Sequence, residues 1–88
     1  MIALEDCMAM CGLTREEIDA IAEHEHIPEL AAAALGDYLL HTERGAHEIY
    51  AMIRDDIRHA IGAGDAVHAR QLVAALSHFL KEHPGAAL

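Results

Sequence analysis

The chain has 88 residues, with six Lys and Arg against fifteen Asp and Glu and a formal net charge of −9. Phosphate binding needs clustered basic residues, so this balance speaks against nucleic acid and against an anionic membrane surface as partners. A basic protein or a cation remains compatible with it.

One domain is expected over residues 1–88. With no Trp, one Phe and two Tyr, its core should be thin. A short chain with a thin core gains stability by association, so a homo-oligomer is expected. Cys7 and Cys11, four apart in a helical pattern, are no disulfide framework. The opening MIALEDCMAM has acids where a signal peptide has basic residues, which points to a reducing cytoplasm.

Ile2 to Cys11 reads as a short first helix, with Leu4, Cys7, Met8 and Cys11 on one face. Gly12 stops it, since glycine accepts the left-handed conformation that ends helices. Thr14-Arg15-Glu16-Glu17 is a capping box, in which each outer side chain satisfies a free backbone N–H of the other. Leu13 and Ile18 bracket the cap as a hydrophobic staple. The second helix then runs to about His26, with Ile18, Ile21 and Ala22 inward. Pro28 breaks it and opens the next, where its missing N–H would be unbonded anyway.

Pro28 to Thr42 is the stretch around which the rest is organised. Leu30 to Leu35, Tyr38, Leu39 and Leu40 cover almost the whole circumference at about 100° per residue. A helix that is apolar all round must be surrounded, by its own domain or by a partner chain. It is too short to span a bilayer, which needs about 20 residues. Gly36 costs about 1 kcal/mol against Ala, so a close helix–helix approach is expected there.

A loop near Thr42 to Gly45 leads to the fourth helix. Its stripe is Ala46, Ile49, Tyr50, Ile53, Ile57, Ala60 and Ile61, with Arg54, Asp55 and Arg58 facing away. Gly62 and Gly64 close it. Asp65 caps the fifth helix, whose inward stripe is Ala69, Leu72, Val73, Leu76, Phe79 and Leu80. His83-Pro84-Gly85 ends that helix, and Ala86 to Leu88 are expected to fray. Nothing alternates as a strand does. The fold predicted is therefore all-α, a small bundle of four main helices with a short N-terminal helix. Leu30, Leu35, Tyr38, Leu39, Ile49, Ile53, Ile57, Leu72, Leu76 and Phe79 are its expected core and interface residues.

Eight His in so short a chain is a clear excess. Glu23-His24-Glu25-His26 precedes the central helix, and His41, Glu43, His47 and Glu48 follow it. Glu23 with His26, Asp56 with His59 and Asp65 with His68 have i, i+3 spacing; Glu43 with His47 and Asp55 with His59 have i, i+4. Either spacing puts carboxylate and imidazole on one helix face, as metal sites in bundles do. The plainer reading is solvated surface, because chance alone supplies roughly one or two such pairs at each spacing. The ends of the central helix lie about 20 Å apart at about 1.5 Å per residue, so one chain cannot bring both clusters to one ion. His26 also fits a buried imidazole bonded to a carbonyl, and His83 a helix C-terminal charge. Cys7, Met8, Met10 and Cys11 fit core packing better than soft-metal binding.

The runs IAEHEHIPE, MIRDDI and HFLKEHP resemble a group of short, uncharacterised bacterial helical proteins, from about Leu13 to Pro84. The resemblance implies a bacterial, soluble, single-domain protein and carries no activity, cofactor or catalytic residue with it.

No phosphate loop is present, the single Ser77 lies mid-helix, and no catalytic group stands out. The function expected is a non-enzymatic interaction and oligomerisation module with a protein partner. The alternative is a protein binding Zn, Fe, Cu or Ni through Glu23, His24, His26, His41, Glu43 and His47.

Overall fold

The computed structural model describes residues 3–88, without the side chains of Cys7 and Met10. The expected helix start at Ile2 and the shared face of Cys7 and Cys11 lie outside the described residues. Cys11 itself is half-buried, and its thiol donates to the Met8 carbonyl.

Among the described residues the chain forms α1 (Leu4–Cys11), α2 (Arg15–Glu25), α3 (Glu29–Leu40), α4 (Gly45–Gly62) and α5 (Ala66–Glu82), and no strand. The all-α bundle of four longer helices and a short first one follows the predicted periodicity. Gly12 is left-handed, with φ 73°, and donates to the Met8 carbonyl at 2.9 Å. At the start of α2, Glu17 N–H donates to Thr14 Oγ1 at 3.2 Å, and Thr14 N–H to Glu17 Oε1 at 2.9 Å. This closes the capping box. Asp65 Oδ1 likewise accepts His68 N–H at 3.1 Å to cap α5.

α2 packs on α3, α4 and α5; α4 packs on α2, α3 and α5; α1 sits on α3. Ile18, Ile21, Ile49, Ile53 and Phe79 are fully enclosed and form the centre, with Leu13, Ala32, Ala33, Leu39 and Leu72 around them. Each of the Ile, Leu and Phe side chains among them stabilises by roughly 1.5–3 kcal/mol through burial. The close approach expected at Gly36 is present: a Cβ there would stand 2.5 Å from Leu13 Cδ1 and 3.2 Å from Ile21 Cδ1.

The principal extents are 38 × 29 × 18 Å. A helix with its side chains is about 10–12 Å across, so the molecule is two helix layers thick. No helix can be enclosed on every side in such a slab. α3 accordingly buries only Ala32, Ala33, Gly36 and Leu39. Of the two covers expected for this helix, its own domain supplies only one side: Leu30 is 45% and Tyr38 66% exposed. Leu35, Ile57 and Leu76 are half-buried, while Leu39, Ile49, Ile53, Leu72 and Phe79 are core as expected. Ile61 and Val73, placed on inward stripes by periodicity, are exposed at the margins of α4 and α5. The C-terminal residues do not simply fray. Ala86 is buried, and its carbonyl accepts a bond from His47.

Candidate functional site

Asp56 lies at the centre of the most chemically loaded region. Ile49, Ile53, Asp56 and Ala60 follow one another at helical spacing, and all four are buried on the inner face of α4. Asp56 is only 6% exposed, and its Oδ2 is sealed from solvent without a hydrogen-bond partner among the described residues. Burial, with the Glu23 carboxylate close by, pushes the Asp56 carboxyl up to about 6; His24 and His68 act in the opposite sense.

Where the end of α2 meets α4, a cleft of about 250 Å³ is lined by Glu23, His24, His26, Asp55, Asp56 and His59. All six are acids or imidazoles. His24 Nδ1 stands 2.9 Å from Glu25 Oε2. A carboxylate only accepts, so Nδ1 carries the proton and the lone pair of neutral His24 lies on Nε2. That Nε2 faces Asp55 Oδ2 at 3.7 Å. Asp55 Oδ1 turns the other way, toward Arg54. Glu23 reaches across to α5, where its Oε1 pairs with His68 Nε2. This bond is the main cause of a raised His68 pKa, with a second bond to Gln71 behind it.

His26 is not the buried, carbonyl-bonded imidazole that its position suggested. It is exposed and ends α2 in the left-handed conformation, with φ 57°. Pro28 disfavours helical geometry at the residue before it, so the chain must turn between Glu25 and Pro28.

The second predicted cluster is separate. His41 Nδ1 bonds the Asp37 carbonyl at 2.7 Å at the exposed end of α3. His47 Nδ1 donates to the Ala86 carbonyl at 2.8 Å. Glu43, His47 and His83 share a shallow cleft with the C-terminal turn. His83 stacks on Phe79 with ring centroids 4.5 Å apart. Thus Glu23, His24 and His26 gather with α4 residues, Glu43 and His47 gather with the C-terminal turn, and His41 joins neither. Among the described residues, no three His, Cys, Asp or Glu side chains are arranged to hold a metal ion as they stand.

Sequence reasoning paired Asp56 with His59 by spacing alone and missed its burial, although a signal was available. It falls on the apolar stripe between Ile53 and Ala60, where an acid is out of place. The partnership of Glu23 with His68, 45 residues apart, had no sequence signal.

The outer face of α3 is the other unusual surface. Leu30, Ala31, Ala34 and Tyr38 are exposed along one side of the helix. Among the described residues no helix is long and apolar enough to cross a membrane. No protein-family model matches the chain, and neither does any curated protein or solved structure.

Proposed function

We propose that the protein is a non-enzymatic association module that pairs with a second copy of itself through the outer face of α3. The observation that carries this reading is the uncovered apolar side of a helix whose other side is already in the core. Its residue pattern suits a two-fold antiparallel pairing. Ala34 sits midway between Leu30 and Tyr38, four residues from each. Opposed helices centred there place Leu30 on the partner's Tyr38 and let the backbones approach over Ala34. They also bring Glu29, at the start of α3, toward the partner's His41. A two-fold contact of this kind is self-complementary. The patch holds only two large side chains, so the pairing is weak and reversible.

Sedimentation velocity over a dilution series tests this. The expected result is a concentration-dependent monomer–dimer equilibrium, abolished by Ala34→Glu, which sets two charges face to face on the symmetry axis. Ala34 is exposed, so the monomer fold tolerates that change. A monomer at every concentration, or an A34E protein that dimerises like the parent, overturns the reading.

A further inference from the structure

We propose that the cleft between α2 and α4 binds one borderline divalent cation, Zn²⁺ or a similar ion, through Asp56, Glu23 and His24. Two independent observations point there. Its lining is made only of acids and imidazoles, with three carboxylates and no Lys or Arg among the six residues. One of its lining residues, Asp56, is more than nine-tenths buried and keeps an oxygen without a hydrogen-bond partner among the described residues. A buried carboxylate oxygen with no donor costs free energy, and a cation is the partner that the neighbouring side chains are able to share.

The donor chemistry fits. Carboxylates and a neutral imidazole suit Zn²⁺ and neighbouring transition ions better than Mg²⁺ or Ca²⁺, which prefer oxygen alone. His24 is already prepared. Its Nδ1–H is held by Glu25, leaving Nε2 turned toward α4 at 3.7 Å from Asp55 Oδ2, an acceptor facing an acceptor. An imidazole oriented by a carboxylate in this way is the usual outer-shell arrangement of a metal-binding histidine. The donor atoms have not converged in the present arrangement, because Glu23 is turned away to His68. Binding therefore requires Glu23 to release His68 and swing toward Asp56, a side-chain rotation that leaves the backbone of α2 in place. Asp55 and His59, both exposed, complete the lining, where the Asp55 carboxylate attracts the cation.

The test uses the untagged full chain, stripped with chelator and titrated with Zn²⁺ by calorimetry and with Co²⁺ by visible absorption. One equivalent is expected to bind, with a nitrogen-and-oxygen Co²⁺ spectrum. Asp56→Asn and His24→Gln should each weaken binding by at least about tenfold, while His47→Gln at the second cluster leaves it unchanged. Far-ultraviolet circular dichroism establishes that each variant is folded, and His24→Gln, at a partly exposed position, keeps the test decisive if Asp56→Asn is perturbed. Absence of binding by the parent chain overturns the proposal. So does equal binding by the parent, D56N and H24Q proteins, or loss of binding on His47→Gln instead.

Discussion

The Nδ1 of His78 on α5 lies 2.9 Å from Oε2 of Glu17 on α2, and joins a partly exposed imidazole to a carboxylate that is 1% exposed. The other oxygen of Glu17 accepts the Thr14 N–H, so one buried side chain closes the cap of α2 and ties that helix to α5. The bond to Glu17 is the main cause of a raised His78 pKa.

A pH dependence follows from that pairing. A histidine whose pKa is raised by folding adds stability that is fully present below its ordinary value of 6.5 and is lost as pH rises through the higher folded value. Thermal melts of the parent chain should fall in midpoint as pH climbs above 6.5, and His78→Gln should flatten that part of the curve. Parallel curves for parent and variant would remove His78 as the cause.

Asp56 acts over a lower window. Its pKa is raised from 3.8 to about 6, so its contribution is full below 3.8 and is lost as pH rises through about 6. Above that point the buried charge is a standing cost. Asp56→Asn removes the charge, and should raise stability near neutral pH by about 1–2 kcal/mol while changing little below 3.8. Chemical denaturation at two pH values in metal-free buffer measures this. A variant less stable than the parent near neutrality would contradict it.

Two glycines should respond differently to the same substitution. A Cβ at Gly45 would overlap the carbonyl of Leu39, which is backbone and cannot move without breaking the α3–α4 turn. Gly45→Ala should cost about 3 kcal/mol or more. At Gly36 the obstacles are the ends of Leu13 and Ile21, which can shift. Overpacking costs roughly 1–3 kcal/mol there, offset by about 1 kcal/mol of helix propensity. Urea unfolding of the two variants should rank them in that order.

The capping box offers a local check. Thr14→Ala deletes the acceptor for Glu17 N–H, and should cost about 1 kcal/mol with no effect on the outer face of α3. A melting midpoint equal to the parent's would show the cap to be redundant.

Local chemistry explains which features were legible in the sequence. Gly12, the Thr14–Glu17 box and Asp65 act within four residues, and each forms the structure that its spacing predicts. The buried stripes of α4 and α5 were legible at their centres, at Ile49, Ile53, Leu72 and Phe79. They failed at the edges, at Ile61 and Val73, where the thickness of the molecule decides exposure and periodicity does not. α3 shows the same limit. Its composition says that it needs cover, but only the tertiary arrangement shows which side has it. In the candidate site, the local half was visible in Glu23, His24 and His26. The other half comes from α4 and α5, through Asp55, Asp56, His59 and His68, whose nearness depends on how the helices cross.

The 18 Å thickness also bears on how the molecule opens. Every helix has one flank in water, so none has to pass through the interior to detach. α1, packed on α3, can lift away while the contacts among α2, α4 and α5 persist. Amide hydrogen exchange should follow this order. The N–H groups of α1 should exchange by local fraying, and those around Ile18, Ile53 and Phe79 only when the whole domain unfolds.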